Sequence, residues 1–196
     1  MRSLEKTFLR AVLGSSALLV ALPGGAAAET QSGGGATYVP PPPPAKRAKI
    51  VDGVAIAPKG APSRVKAAIT AGNRIVTKPY LYGGGHRLYS GNARTGRLDR
   101  GYDCSGTISF ALWGGRFLRS PLDSGSFMRW GRRGEGRWIT VYTNPGHAYV
   151  VIAGLRLDTS GGDRLSAEDR RSGRGPRWRK YSRSPQGFTT RHPSRY

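Results

Sequence analysis

The chain has 196 residues, of which 32 are Lys or Arg and 11 are Asp or Glu, so its formal net charge is +21. This length fits one domain with appended segments, and the single cysteine excludes an intramolecular disulfide. One cysteine and three histidines are too few for a structural zinc cluster, so we expect no metal and no cofactor. The positive charge predicts an anionic partner, which leaves nucleic acid, anionic lipid and an acidic cell-wall polymer as candidates.

The first 28 residues have the layout of a secretory signal peptide. Three basic residues accompany an apolar run from Ala11 to Leu22, and Ala26, Ala27 and Ala28 supply small residues at a cleavage site. A membrane anchor is the alternative, but the run is shorter than the roughly 20 apolar residues that a span needs. We therefore expect export with cleavage after Ala28, no transmembrane span in the mature chain, and a secreted or cell-wall location.

Residues 29–62 are predicted to form a linker. Gly33 to Gly35 favour a flexible chain, and five prolines from Pro40 to Pro44 favour a stiff polyproline segment. We expect folding to begin near Pro62, so that a single domain with a basic C-terminal extension occupies residues 63–196.

Periodicity within that domain predicts helices first and strands afterwards. Apolar residues at helical spacing indicate helices over 63–76, 104–113 and 124–130. Stretches rich in β-branched and aromatic residues, bounded by turn signals, indicate strands at 138–142, 147–152 and 155–159. This order predicts an α+β fold, with N-terminal helices packed on one face of a small antiparallel sheet.

Cys104 and His147 are the candidate catalytic residues. Cys104 lies in the first turn of the second helix, where backbone amides and the helix dipole lower a thiol pKa from about 8.5 into the range of about 3.5 to 7.5. His147 begins a strand, and a thiolate with a nearby histidine is what a cysteine hydrolase requires. The alternative is a small buried apolar cysteine and a structural histidine, and composition alone leaves the two interpretations open.

Three short motifs, at residues 80–84, 103–106 and 146–147, resemble those of the NlpC-type cysteine peptidases that cut peptidoglycan. Tyr80-Leu81-Tyr82-Gly83-Gly84 resembles the family's Tyr-x-x-Gly-Gly stretch, and Asp103-Cys104-Ser105-Gly106 resembles its Asp-Cys-Ser-Gly motif. Gly146-His147 is similar to the start of the family's histidine strand. The resemblance covers roughly residues 63–160, and the stretches at 121–126 and 153–156 look like an actinobacterial branch. It implies a papain-like core.

The resemblance also implies a role for each matching residue. Cys104 would attack a stem-peptide amide, most often the bond between D-glutamate and the diamino acid, and His147 would accept the thiol proton and pass it to the leaving amine. Asp158 would orient His147, and Tyr80 would donate its hydroxyl to the oxyanion. Asp103 and Ser105 would hold the free amine of the substrate.

Two features depart from the family pattern. Tyr80 precedes Cys104 by 24 residues, with a segment inserted between them, so that Tyr82 is an alternative counterpart of the family tyrosine. Asp158 replaces the more common histidine, asparagine or glutamine. A turn at Gly154 and Leu155 would pair Val151 with Asp158 and leave about 13 Å along the strand to His147, so we expect twist, a bulge or another register to close this gap.

The C-terminal segment is strongly basic. Between residues 164 and 195 there are ten Lys or Arg against two acidic residues, interleaved with Trp178, Tyr181 and Phe188. Export disfavours nucleic acid as the partner, although the composition suits phosphate contact and base stacking. We expect a segment partly docked through its aromatic residues, with arginines that face anionic wall polymers or simply keep the protein soluble.

The sequence therefore predicts a secreted, monomeric cysteine endopeptidase that hydrolyses peptidoglycan stem peptides. Two alternatives remain. One is a catalytically weak or inactive cell-wall-binding module of the same fold, and the other is a related amidase or acyltransferase that uses the same two residues.

Overall fold

The computed structural model describes residues 47–160, 175–181 and 183–196. The predicted signal peptide, the glycine and proline runs of the predicted linker, and residues 161–174 of the basic segment lie outside these ranges. Within the described part of the chain, no helix has the length and apolar content required to cross a membrane.

The described residues contain three helices and eight strands. The helices are α1 (Ser63–Asn73), α2 (Cys104–Gly114) and α3 (Ser124–Phe127). The strands are β1 (Lys49–Val51), β2 (Val54–Ile56), β3 (Arg132–Arg133), β4 (Ile139–Asn144), β5 (His147–Ile152), β6 (Leu155–Asp158), β7 (Arg177–Lys180) and β8 (Thr189–His192).

The predicted helices are all present, although two are shorter than the periodicity indicates. Helix α1 ends at Asn73 because i→i−3 hydrogen bonds from Arg74 to Ala71 and from Ile75 to Gly72 tighten the chain after it. Helix α3 has a single turn, which begins where the Asp123 carboxylate accepts from the Ser126 amide at 2.6 Å.

A six-stranded sheet carries the core on one face. Its order is β3-β8-β4-β5-β6-β7, and every neighbouring pair is antiparallel. Alternate residues such as Val141, Val150 and Leu157 lie in one buried cluster with Ile69 of α1 and Ile108 of α2. The predicted α+β class, with N-terminal helices against a small antiparallel sheet, is confirmed.

The gap between His147 and Asp158 is closed by another register of β5 and β6, one of the three possibilities expected from the sequence. The turn consists of Ala153 and Gly154, both at positive φ, as a two-residue hairpin turn of the primed type requires. Val151 therefore pairs with Arg156 rather than with Asp158. The shift moves Asp158 two residues along the strand toward His147, and it keeps both side chains on the same face.

The fold begins before the predicted boundary at residue 63. Strands β1 and β2 form an antiparallel hairpin within the segment predicted to be linker, and Ala48 and Ala55 are buried in the core. Asn73 at the end of α1 holds this hairpin by accepting from the Ala55 amide and donating to the Ala55 carbonyl, both at 2.9 Å. Because a polyproline run precedes them, the short strands resemble linker in the sequence.

The described part of the basic segment forms two further strands of the sheet. Strand β7 extends the sheet beside β6, and β8 lies between β3 and β4. Trp178 is buried in the core, and its indole nitrogen donates to Asn73 at 2.7 Å. Docking through aromatic residues is thus confirmed for Trp178. Arg179, however, is 7% exposed and is not part of a solvated face.

Asn73 joins the hairpin, α1 and β7, and its substitution should therefore weaken the whole domain. We expect Asn73→Ala to lower the free energy of unfolding by about 2 to 3 kcal/mol, because three hydrogen bonds of about 1 kcal/mol each are lost. Urea denaturation measures this change. Lys49→Ala, on the exposed strand of the same hairpin, is the control. An equal effect of both substitutions would contradict the role of Asn73.

Candidate active site

Cys104 is the first residue of α2, and the preceding residue caps that helix. Asp103 has an extended backbone, and one of its carboxylate oxygens accepts from the Gly106 amide at 2.7 Å. Cys104 is partly exposed, whereas the following residues of α2 are mostly buried. The thiol therefore lies at the accessible N-terminal end of a helix that is anchored in the core.

His147 is fixed by the hairpin turn that precedes it. Asn144 pairs with His147 across this turn, and the Asn144 side chain accepts from the backbone amides of Gly146 at 3.0 Å and His147 at 2.8 Å. The imidazole packs against the Tyr149 and Phe188 rings, with centroid distances of 6.5 and 6.4 Å. The turn and the two rings define the position of the histidine.

His147 connects Cys104 to Asp158. Its Nε2 atom lies 2.9 Å from a carboxylate oxygen of Asp158, which leaves Nδ1 as the nitrogen available to the thiol. Burial lowers the pKa of His147, but hydrogen bonds with Asp158 and Cys104 outweigh it and raise this pKa to about 9. At neutral pH the imidazole is therefore protonated, which suits the partner of a thiolate.

Asp158 is fully buried and is held by several donors. Besides His147, its carboxylate accepts from the Ser160 amide at 2.9 Å and lies 3.3 Å from Nη1 of Arg183. Nε of Arg156 lies 3.5 Å away. A buried carboxylate is stable as an anion only when it is paired, and two arginines and the histidine provide this pairing.

Arg183 and Phe188 belong to the connection between β7 and β8, and they cover the outer face of the sheet. The Arg183 guanidinium lies 5.3 Å from the ring centroids of both Tyr149 and Phe188. Phe188 contacts Tyr149 edge to face at 5.1 Å. The C-terminal segment, predicted to contact wall polymers, thus also contributes side chains around His147 and Asp158.

Tyr80 lies near Cys104 in space, although it precedes it by 24 residues in the sequence. Tyr80 forms an isolated parallel bridge with Tyr102, two residues before the cysteine, and hydrogen bonds from Leu81 to Tyr102 and from Tyr102 to Pro79 flank the bridge. The inserted residues form a loop that leaves and returns at this point. Tyr80 is 39% exposed and Tyr82 is 89% exposed.

Asp103 and Ser105 lie on either side of Cys104 and contact each other and His86. The Ser105 hydroxyl donates to Asp103 at 3.1 Å, and Nε2 of His86 lies 3.1 and 3.2 Å from the two Asp103 oxygens. Burial raises the pKa of Asp103, but hydrogen bonds from His86 and the Gly106 amide lower it overall. Asp103 is therefore an ionised group beside the thiol.

The structure brings together the residues that the motifs single out, and it adds residues that sequence reasoning missed. Cys104, His147 and Asp158 form one connected set, with Asp103 and Ser105 next to the cysteine. His86, Arg183 and Asn144 were not predicted, because each is a single polar residue in a loop or turn without a motif around it. Among the described residues, no three His, Cys, Asp or Glu side chains are grouped closely enough to hold a metal ion.

The fold and site together define an α+β protein with a cysteine, a histidine and an aspartate connected at the end of a helix and its facing sheet. No protein-family profile and no curated protein sequence matches the chain. Among solved structures, the chain is similar to the peptidoglycan hydrolase RipB from Mycobacterium tuberculosis, with 21% identity and a TM-score of 0.45. That similarity covers 69% of this chain and 73% of the RipB chain.

Asp158 should control the protonation of His147. We expect Asp158→Asn to lower the pKa of His147 from about 9, because a charged acceptor is lost while burial, which also lowers the pKa, remains. NMR titration of the imidazole signals measures this, and the chain has only three histidines to assign. Asp123→Asn, an exposed carboxylate in α3's cap, should leave His147 unchanged. If His147 in Asp158→Asn still titrates near pH 9, the prediction is contradicted.

Arg183 should stabilise the fold through the buried carboxylate. We expect Arg183→Met to reduce the free energy of unfolding by about 1.5 to 3 kcal/mol, the range for a hydrogen bond to a charged group. Arg133→Met removes an exposed arginine of β3 and should change stability by less than about 0.5 kcal/mol. Chemical denaturation compares them, and equal stability of the two variants would show that Arg183 contributes nothing.

Proposed function

We propose that this protein is a cysteine hydrolase that cuts amide bonds in peptidoglycan stem peptides. The observation that carries the proposal is the connection from Cys104 through His147 to the buried Asp158. A cysteine at a helix N-terminus, a base within hydrogen-bond reach and a third group that orients the base are the parts of an activated nucleophile.

In the acylation step, the Cys104 thiolate attacks the carbonyl carbon of the amide and forms a carbon–sulfur bond. The carbon–nitrogen bond breaks, and His147 transfers its proton to the leaving amine. The backbone amide of Cys104 and the Tyr80 hydroxyl stabilise the negative charge on the carbonyl oxygen. The product of this step is a thioester on Cys104 and a free amine.

In the deacylation step, water attacks the thioester carbon while neutral His147 accepts a proton from it. The carbon–sulfur bond breaks, the carboxylic product leaves and the thiolate with its imidazolium partner is restored. The hydrogen bond between Asp158 and Nε2 of His147 is kept in both steps, so that Nδ1 faces the sulfur in each of them.

The substrate class rests on the three motifs around Tyr80, Cys104 and His147. Their resemblance to NlpC-type peptidases supports the bond between D-glutamate and the diamino acid of the stem peptide. We further propose that residues 1–28 direct export across the cell membrane. Outside the cell, the excess of basic residues would hold the protein on anionic wall polymers.

Hydrolysis of a defined stem peptide tests this function. Purified protein is incubated with a peptide that contains the D-glutamyl–diamino acid bond, and the products are identified by mass spectrometry. We expect cleavage by the wild type and a loss of at least about 1,000-fold in Cys104→Ala and His147→Ala, because each removes a reacting group. Arg133→Met, which changes an exposed residue, should retain wild-type activity.

The other outcomes distinguish the alternatives. If Cys104→Ala cuts as well as the wild type, the cysteine is not the nucleophile and the proposal fails. If no peptide is cut, but the wild type and Cys104→Ala bind isolated cell walls equally, the protein acts as a wall-binding module. If the acyl group appears on an added amine instead of water, the protein is an acyltransferase.

A further inference from the structure

His86, in the loop inserted between Tyr80 and Cys104, contacts the side chains of both neighbours of Cys104 in the chain. Its Nε2 atom is 3.1 and 3.2 Å from the Asp103 oxygens and 3.2 Å from the Ser105 hydroxyl. These two residues flank Cys104 in the chain, so the imidazole occupies the position to which the family resemblance assigns a substrate amine.

The Asp103 carboxylate has no acceptor capacity left for a ligand. It accepts from the Gly106 amide at 2.7 Å, the Gly83 amide at 3.0 Å and the Ser105 hydroxyl at 3.1 Å, in addition to His86. These donors match the roughly four lone-pair sites of a carboxylate. Asp103 is also 8% exposed. An ammonium group would have to displace the imidazole in order to reach it.

The charge of His86 also disfavours the binding of an ammonium group at Asp103. The hydrogen bond with Asp103 raises the pKa of His86, which favours the imidazolium form over the neutral ring. A quarter of the side chain, 26%, is exposed, so a ligand that approaches Asp103 meets the imidazole first. A cationic ring repels an ammonium group, whereas it tolerates a neutral amide.

We propose that His86 determines substrate specificity by closing the Asp103 carboxylate, so that the protein acts on stem peptides whose N-terminal amine is acylated rather than free. This inference rests on the proposed hydrolase function. Stem peptides attached to glycan through an N-terminal amide are substrates of this class, and short peptides with a free amine are poor ones.

Two matched peptides test the inference, with the same D-glutamyl–diamino acid bond and either a free or an acetylated N-terminus. We expect the wild type to cut the acetylated peptide with a kcat/KM at least equal to that of the free peptide. In His86→Ala the Asp103 carboxylate becomes available to the substrate amine. We expect the ratio of kcat/KM for the free peptide to kcat/KM for the acetylated peptide to rise by about tenfold or more, the effect of one charge-assisted hydrogen bond.

Two further variants test whether the effect comes from the hydrogen bond between His86 and Asp103, and not from the charge or the folding of the loop. His86→Gln keeps an N–H donor for Asp103 and should keep the wild-type ratio. Arg87→Ala removes a positive charge from the same exposed loop, without contact to Asp103, and should also keep it. A shift of the ratio in Arg87→Ala as large as in His86→Ala would overturn the specific role of His86.

Failure of this inference is distinct from failure of the proposed function. If the wild type prefers the free-amine peptide and His86→Ala has the same preference, Asp103 and Ser105 hold the amine and the inference is wrong, while the hydrolase function stands. If neither peptide is cut by any variant, the hydrolase function fails first.

Discussion

The register between β5 and β6 is the constraint on which the rest of the site depends. With Val150 opposite Leu157, the apolar residues of both strands face the helices, and Arg156 and Asp158 face the other side with Tyr149. A slip by one residue would turn Arg156 and Asp158 into the apolar core, away from the groups that pair with Asp158, and would turn Leu157 outward. Burial of the core therefore selects the same register that brings the carboxylate to His147.

Asp103 holds both the helix that bears Cys104 and the loop that precedes it. It caps α2, and it also binds the Gly83 amide and His86 of the preceding loop. The close packing of the two segments depends on Gly106, because a Cβ there would collide with the Gly84 carbonyl oxygen. The position of Cys104 relative to the loop is thus set by a buried hydrogen-bond network, and a change in that network would alter the site and the helix together.

The sequence predicted α2, its cysteine and the histidine strand because each has a strong local signal. Asp103 is a favourable helix cap, and β5 is rich in β-branched and aromatic residues that follow a Pro-Gly turn and precede a glycine. The side-chain partner of His147 was also predicted. The strand register that brings Asp158 to His147 was left open by the sequence, because Ala153 with Gly154 and Gly154 with Leu155 are both acceptable turns locally, and only the pairing of whole strands selects between them.

The strands of the basic segment could not be predicted from local composition. Arg177-Trp178-Arg179-Lys180 has the charge density of a solvated tail, yet its backbone completes a sheet edge beside β6. Long-range contacts, such as the hydrogen bond from Trp178 to Asn73 and the one from Arg183 to Asp158, decide its place. The position of His86 also depends on a long-range contact, because the sequence of the inserted loop does not indicate which buried carboxylate His86 will contact.

The position of β8 also has a consequence for how the protein folds. Residues 189–192 are placed between β3 and β4, so the last of the described strands is an internal strand of the sheet. Until these residues are available, β4 has an unpaired edge next to the hairpin that bears His147, and an unpaired edge favours association with other chains. Pairing of β4 with β8 joins residues that are far apart in the sequence, and non-local contacts of this kind slow folding in general.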